Sequence, residues 1–261
     1  MSSVTINRPD GVPGVTELVL DRPEALNAIS TEHARAIVAA TAEVAADPAV
    51  RVIVLSSSAE RAFCVGADLK ERKTIDDDGL RRQRLVFRAA FTGVLELPVP
   101  TVAAVHGHAL GGGLELALGC DLIVADETAV LGLPEVTVGL VPGGGGTQLL
   151  PRRLGWNRAA DLIFTGRRVD AAEAHRLGLV DRVVPAGQDR AAALELAASI
   201  AANSPVGVRN AKQAMRHGLD ASLRSGLDIE DAAWRATAFS GDRNEGVAAF
   251  NEKRRPDWPG E

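Results

Sequence analysis

Two glutamates stand in segments of the sequence that are otherwise apolar. Glu115 lies within the run GLELALG, and Glu135 follows the run LGLP further along the chain. Burial of an unpaired carboxylate is costly and raises its pKa unless a partner offsets that cost. Two carboxyl groups in such surroundings can divide the roles of acid and base near neutral pH. The pair therefore predicts proton-transfer chemistry.

Each glutamate also has a structural interpretation. Glu115 could pair with a basic group or accept hydrogen bonds from nearby main chain, and Glu135 could be a solvated loop carboxylate after Pro134. The glycine run 143–146 could be a flexible connection into a helix, or it could let the main chain lie close to a substrate. The sequence leaves these alternatives open.

Two glycine-bearing turns offer main-chain donors. In FCVGADLK, Gly66 allows a turn that directs the N–H of Ala67 outward, although a plain loop would also contain one glycine. In HALGGGLE, a strand passes through three glycines into an apolar helix, whose first N–H groups lack helical acceptors. The spacing matches neither G-x-G-x-x-G nor the phosphate loop. We therefore predict an oxyanion hole, in which paired N–H groups stabilise charge on a carbonyl oxygen.

Other reactive side chains are predicted to be structural. His106 and His108 flank a glycine without an acidic or cysteine partner at metal-binding spacing. Ser56–Ser58 lacks the G-x-S-x-G context of a nucleophile. Cys64 and Cys120 are far apart, so we expect packing roles and no disulfide framework.

Composition narrows the class of protein. The chain has 261 residues, a formal net charge of −5 and scattered, short basic clusters, so nucleic-acid binding is disfavoured. The first residues do not resemble a secretory signal, and no apolar run is long enough for a membrane helix. We therefore expect a cytoplasmic protein.

Strands and helices alternate along the first two thirds of the sequence, which predicts an α/β fold. We expect strands at Val15–Leu20, Arg51–Leu55, Thr101–Val105 and Asp121–Ala125. We also expect two helices among them, one capped by Thr31 and one that begins near Leu80. After Ser199 only helical patterns follow, at Pro205–His217, Leu223–Phe239 and Asp242–Phe250. The predicted organisation is a core over residues 1–199 and a helical region over residues 200–261.

Four stretches together resemble the enoyl-CoA hydratase/isomerase, or crotonase, superfamily. They are AFCVGADLKER (Ala62–Arg72), HALGGGLELALGCDLIVA (His108–Ala125), LPEVTVGLVPGGGGTQ (Leu133–Gln148) and FNEKRRP (Phe250–Pro256). The first two are particularly similar to methylglutaconyl-CoA hydratases and related bacterial enoyl-CoA hydratases. Leu149 and His106 depart from residues that are frequent in the superfamily, and the chain has no tyrosine, unlike some decarboxylating or ring-forming branches.

The resemblance implies a spiral of ββα units and a helical C-terminal region that supports oligomer contacts, usually in trimers paired into hexamers. It assigns the oxyanion donors to the N–H groups of Ala67 and Gly112, and the hydratase glutamates to Glu115 and Glu135. The implied coenzyme A contacts are Ala25, Leu26, Ala67, Asp68, Leu69, Lys70, Gly112, Phe250 and Lys253, the last two often reaching a neighbouring subunit's ligand.

The expected activity is hydration of the double bond of an enoyl-CoA thioester. It would require no metal, nicotinamide or flavin, and coenzyme A would be part of the substrate. An isomerase that uses one carboxylate and a non-catalytic acyl-CoA binding protein are the alternatives. RNA binding is a weaker alternative, because the chain has a net negative charge. Both glutamates together favour hydration.

Overall fold

The computed structural model describes residues 2–261. Its strands are β1 (Val4–Asn7), β2 (Val15–Leu20), β3 (Val52–Ser57), β4 (Ala62–Cys64), β5 (Thr101–Val105), β6 (His108–Leu110), β7 (Leu122–Asp126), β8 (Val130–Gly132), β9 (Arg168–Asp170) and β10 (Arg182–Val184). Its α-helices are α1 (Thr31–Ala46), α2 (Leu69–Arg72), α3 (Asp77–Leu95), α4 (Gly112–Gly119), α5 (Gly146–Leu154), α6 (Trp156–Thr165), α7 (Ala171–Leu177), α8 (Asp189–Ala201), α9 (Pro205–Gly218), α10 (Leu223–Ala238) and α11 (Gly241–Glu252). Short 3₁₀ helices span Pro23–Ala25 and Pro134–Val138.

The strands form two sheets that the chain enters alternately. The larger sheet has the order β1-β2-β3-β5-β7-β10, and the smaller has the order β4-β6-β8-β9. Each of β3, β5 and β7 is followed by a short strand of the other sheet and then by a helix. The repeating unit is therefore ββα, and the predicted α/β spiral is confirmed.

The central strands of the larger sheet are buried on both faces. Val52, Val54, Val102 and Ala104 pack against apolar side chains of α8, including Leu196. The alternate residues of the same strands face the opposite way and join the main core, which includes α1 and α3. Since successive side chains point to opposite faces of a strand, two covered faces require a continuous apolar run.

Element boundaries differ from the predicted ones where side chains cap the main chain. Ser30, not Thr31, caps α1, because its Oγ accepts a hydrogen bond from the N–H of His33 at 3.1 Å. Helix α3 begins at Asp77 rather than Leu80, since Asp76 Oδ1 accepts from the N–H of Gly79 at 2.7 Å. Strands β3 and β7 each begin one residue later than predicted.

Helices α9, α10 and α11 follow the strands, and buried Asp242 connects two of them. Its Oδ2 accepts hydrogen bonds from Ser204 Oγ at 2.6 Å and from the N–H of Val206 at 3.1 Å, at the start of α9. No single helix within residues 2–261 is long and apolar enough to cross a membrane, although the bent pair α8 and α9 meets that requirement jointly by length and composition.

Candidate active site

A cavity of about 880 Å³ opens between α2, α3, the start of α4 and the segment 134–144. Five residues singled out from the sequence line it: Ala67, Leu69, Gly112, Glu115 and Glu135. Six others lie outside its lining: Ala25, Leu26, Asp68, Lys70, Phe250 and Lys253. The structure therefore brings both glutamates and both candidate amides together, and leaves six of the nine implied coenzyme A contacts outside the cavity lining.

Two main-chain N–H groups of this cavity have no acceptor. Gly66 adopts a φ of 90°, and hydrogen bonds to Ile29 fix the chain on either side of Ala67, at Gly66 O (2.7 Å) and Asp68 N (2.9 Å). Gly112 is the first residue of α4, where an N–H lacks a helical acceptor. Neither the Ala67 nor the Gly112 N–H donates to another group in the described part of the chain.

The two turns that carry these amides lie in contact. A Cβ added to Gly66 would stand 2.8 Å from the carbonyl oxygen of Leu110 and 3.2 Å from the nitrogen of Gly112. Only glycine combines the positive φ with this approach of one main chain to another.

Glu115 is buried, with 3% of its surface exposed, at the first turn of α4. Its Oε1 accepts hydrogen bonds from the N–H groups of Gly144 at 2.6 Å and Gly146 at 2.8 Å. Its Oε2 accepts none from residues 2–261. Burial raises the pKa of Glu115, and main-chain N–H donors of the glycine run act in the opposite direction together with the charge of Arg84. The structural interpretation of this residue is thus correct for one oxygen and leaves the other oxygen free.

The glycine run 143–146 permits a close approach of main chain to side chain. A Cβ on Gly144 would lie 2.7 Å from ring atoms of Phe91, and one on Gly146 would lie 3.0 Å from Glu115 Oε1. The run is therefore more than a flexible connection, because a larger residue at either position would displace the donors that hold Glu115.

Glu135 lies on the 3₁₀ helix Pro134–Val138, where it is half-buried and lines the cavity. A Cβ added to Gly111 would lie 3.0 Å from its Oε1, which places the carboxyl group against the turn that carries Gly112. Its Oε2 is buried and has no hydrogen-bond partner in the described residues. Burial, reinforced by the charge of Glu115, raises the pKa of Glu135 to about 7.

Four arginines also line the cavity: Arg72, Arg81, Arg84 and Arg168. Sequence reasoning did not assign them to the site. One signal was available: Arg84 shares a face of α3 with Leu80, Phe87 and Phe91 at helical spacing. The signal is weak, because Arg84 is exposed although it lines the cavity.

The residues outside the lining have identifiable contacts. Asp68 caps α2, because Oδ1 accepts from the N–H of Lys70 at 3.0 Å while Oδ2 pairs with Arg22 at 2.7 Å. Leu26 has a φ of 51°, and its carbonyl accepts from the N–H of Val65 at 3.2 Å. Phe250 is 84% exposed on α11. Lys70 and Lys253 are exposed on α2 and at the end of α11.

His106 connects three segments next to the site. Its Nδ1 is 2.9 Å from Asp189 Oδ2, and its Nε2 is 2.8 Å from the carbonyl oxygen of Ala59. Since both partners are acceptors, both ring nitrogens carry hydrogen when both bonds form. The hydrogen bond to Asp189 raises the pKa of His106. The predicted structural role of His106 fits these contacts.

Both cysteines are buried, as their predicted packing roles require. Cys64 Sγ donates to the carbonyl oxygen of Asn27 at 3.0 Å. Burial raises the pKa of the Cys64 thiol to about 12, and that of Cys120 also to about 12. Neither thiol is therefore a nucleophile at neutral pH.

Comparison with known proteins places these features in a family. Residues 11–261 match the family described as enoyl-CoA hydratase/isomerase. The chain belongs to the enoyl-CoA hydratase/isomerase family.

Individual relatives support this membership over nearly the whole chain. The enoyl-CoA hydratase domain-containing protein 2 of Mus musculus is 45% identical over 253 residues, 95% of this chain and 85% of the relative. The methylglutaconyl-CoA hydratase of Mus musculus is 40% identical over 252 residues, 95% of this chain and 80% of the relative.

A solved structure also supports membership of this family. The crystal structure of the enoyl-CoA hydratase from Bacillus anthracis superimposes with a TM-score of 0.96 at 40% sequence identity, covering 99% of this chain and 100% of that one. The enoyl-CoA hydratase/isomerase family name includes two reactions. Membership therefore leaves the choice between them to the chemistry of the cavity.

Proposed function

We propose that this protein is an enoyl-CoA hydratase, which adds water across the 2,3 double bond of an enoyl-CoA thioester. One observation carries the proposal: Glu115 and Glu135 line the same cavity as two main-chain N–H groups without acceptors, those of Ala67 and Gly112. Hydration requires a base, an acid and a site for the charge that develops on the thioester oxygen. These four groups supply all three.

The thioester carbonyl oxygen accepts hydrogen bonds from Ala67 and Gly112. As the nucleophile adds at the β-carbon, negative charge develops on this oxygen in an enolate-like transition state. Loss of one such donor costs roughly 2.7–4 kcal/mol in comparable sites. The partial positive charge at the start of α4 adds to the effect, since Gly112 is its first residue.

The two glutamates take different roles because their surroundings differ. Glu115, whose Oε1 is held by two N–H donors, acts as the base and takes a proton from water through Oε2. Glu135, whose pKa is near 7, acts as the acid. The hydroxyl forms a bond with the β-carbon, the π bond breaks, and the proton of Glu135 passes to the α-carbon. Proton transfer from Glu115 to Glu135 through solvent restores the starting state.

The remaining expectations belong to the same proposal. The reaction needs no metal, nicotinamide or flavin, because both proton transfers use carboxyl groups. Ala25, Leu26 and the main chain of 67–70 contact coenzyme A, while exposed Phe250 and Lys253 reach the ligand of a neighbouring copy in a homotrimer or homohexamer. We propose a cytoplasmic location.

The second candidate is an isomerase that moves the double bond with one carboxylate. The buried, unpartnered Oε2 of Glu135 and its pKa near 7 favour this residue as a lone proton carrier. Such an enzyme would not depend on Glu115 as a base.

The test uses the purified protein and crotonyl-CoA, with hydration followed by loss of the conjugated-thioester absorbance. We expect Glu115→Gln and Glu135→Gln each to lower kcat by about 10²- to 10⁴-fold. The matched control is Glu195→Gln, on the exposed face of α8, which keeps wild-type kcat. A wild-type protein that leaves the absorbance unchanged contradicts the proposal. If Glu115→Gln still converts a 3-enoyl-CoA to the 2-enoyl isomer, the isomerase is correct instead.

A further inference from the structure

Three of the four cavity arginines lack an acidic partner among the described residues: Arg72, Arg84 and Arg168. Arg81 pairs with Asp78 at 2.5 Å, whereas neither Arg72 nor Arg84 has a carboxylate within ion-pair distance among residues 2–261. Arg84 Nη1 donates to the carbonyl oxygen of Gly143 at 2.7 Å. The guanidinium of Arg72 donates no hydrogen bond within these residues, and its Nε is buried without an acceptor. A buried N–H without a partner is rare in folded proteins, and this one belongs to a residue that lines the cavity, where a bound group would supply the acceptor.

The surroundings of Arg72 increase its need for an anion. Its guanidinium lies over the ring of Phe87, 5.7 Å from the centroid. Burial and the neighbouring charge of Arg84 both lower the pKa of half-buried Arg72, while the charges of Glu135 and Glu71 raise it. Arg84 itself is exposed. Charges removed from water need an opposite charge with good hydrogen-bond geometry.

Both arginines lie on the glutamate side of the cavity. Arg84 binds Gly143, which precedes Gly144, a donor to Glu115. The charge of Arg72 acts directly on Glu135. On the proposed function, the thioester oxygen sits at Ala67 and Gly112 and the double bond sits between the glutamates. The arginines then face the part of the acyl chain beyond that bond.

We propose that the acyl group of the substrate carries a carboxylate at its far end, and that Arg72 and Arg84 bind it. A planar guanidinium offers parallel N–H donors that match the two oxygens of a carboxylate. Arg72 and Arg84 are therefore specificity-determining residues. The proposal rests on the proposed function only for the position of the thioester.

A phosphate of coenzyme A is a second source of the same negative charge. Every coenzyme A thioester contains it, so phosphate binding would not distinguish one acyl group from another. An acyl carboxylate would. The test therefore compares two thioesters that differ only at the far end of the acyl chain.

Binding of saturated thioesters tests recognition without turnover. In glutaryl-CoA the acyl chain ends in a carboxylate, and in 5-methylhexanoyl-CoA an isopropyl group of similar shape replaces it. We expect calorimetry to give a Kd about 30-fold lower for glutaryl-CoA, equivalent to ~2 kcal/mol and typical of hydrogen bonds to a charged group. Equal Kd values, or tighter binding of the neutral thioester, would overturn the proposal.

Variants assign the preference to particular side chains. Arg72→Met and Arg84→Met should each reduce the preference at least fivefold, and Arg72→Lys should retain part of it as a point charge. The matched control is Arg82→Met, an exposed arginine on the same helix as Arg84, which keeps the wild-type ratio because Arg82 lies outside the cavity lining. Thermal unfolding of each variant checks that it is folded. If Arg72→Met weakens both thioesters and free coenzyme A equally, the arginine binds a phosphate and the proposal is wrong.

The two proposals fail separately. A protein that hydrates crotonyl-CoA but binds both saturated thioesters equally keeps its hydratase function and loses the carboxylate site. A protein that prefers glutaryl-CoA but hydrates neither crotonyl-CoA nor glutaconyl-CoA, the 2,3-unsaturated counterpart of glutaryl-CoA, keeps the carboxylate site and loses the hydratase function.

Discussion

The main-chain N–H of Gly146 donates a hydrogen bond to Oε1 of Glu115 across 2.8 Å. Gly146 is the first residue of α5, so this carboxyl oxygen lies at the positive end of a helix as well as at the start of its own helix, α4. Both helix termini favour the ionised form, which a base requires. The position of Glu115 is thus fixed by main chain that lies about thirty residues away in sequence.

Substitution of Gly146 by alanine should displace this carboxylate. The added Cβ would lie 3.0 Å from Glu115 Oε1 and 2.9 Å from Leu133 Cδ1, so one of these groups must move. We expect kcat for crotonyl-CoA to fall by about 10²-fold, as for other small misplacements of catalytic groups. Gly218→Ala is the matched control, since its Cβ would meet no atom within 4 Å. Wild-type kcat in Gly146→Ala would contradict this positioning role.

The pH dependence of kcat/KM should report both glutamates. Glu135 must be protonated to act as acid and its pKa is about 7, so activity should fall as pH rises above about 7. Glu115 must be ionised to act as base, so activity should also fall on the acid side, below its raised pKa.

Arg72 provides a check on the alkaline limb of this profile. Its positive charge lowers the pKa of Glu135, so Arg72→Met should move the limb to higher pH. The measurement is kcat/KM for crotonyl-CoA from pH 5 to 9 in a constant-ionic-strength buffer. An unchanged alkaline limb in Arg72→Met would show that another group controls it.

Substitution of Gly66 by alanine should remove the oxyanion hole. Its φ of 90° disfavours any side chain, and the new Cβ would lie 2.8 Å from the carbonyl oxygen of Leu110. The turn must shift and carry the N–H of Ala67 with it, so we expect kcat to fall about 10²- to 10³-fold. Gly11→Ala controls for the strain, because Gly11 has a φ of 76° with open space around it. Equal loss of kcat in both variants would exclude the proposed donor.

Stability should depend on pH through His106. The pKa of His106 is raised in the folded state, so its contribution is fully present below the unfolded value of about 6.5 and is lost as pH rises through the folded value. His106→Leu should lower the free energy of unfolding by about 1–3 kcal/mol at pH 6, because Asp189 loses its partner. The deficit relative to wild type should shrink by pH 9. Urea unfolding at both values measures it, and a deficit that grows with pH would contradict this account.

Long elements with a clear pattern were predictable from the sequence. Strand Thr101–Val105 has its predicted bounds, because covered faces on both sides demand an uninterrupted apolar run. The three-residue strands β4, β6 and β8 gave no such signal, since three residues are too few to show a period of two. The second sheet follows from the ββα repeat rather than from local pattern.

Site residues divide in the same way. Glu115 and Glu135 were noticeable because a charge among apolar residues is unusual, and the glycines because they cluster. The partners of these groups were not predictable: the run 143–146 holds Glu115 only once α5 packs against α4. Arg72 and Arg84 resembled ordinary surface charges. Arg84 is exposed, and the position of Arg72 over the Phe87 ring depends on how α2 lies beside α3.

The two buried thiols are natural probes of local opening in the folded protein. Cys64 is the last residue of β4, two residues before Gly66. Cys120 directly follows α4, the helix that carries Glu115. With pKa values of about 12 and no access to solvent, each reacts with a thiol reagent only when its surroundings open. If Cys64 is labelled faster than the protein unfolds globally, its labelling rate measures local opening of the turn beside Gly66. The labelling rate of Cys120 measures opening at the end of α4 in the same way.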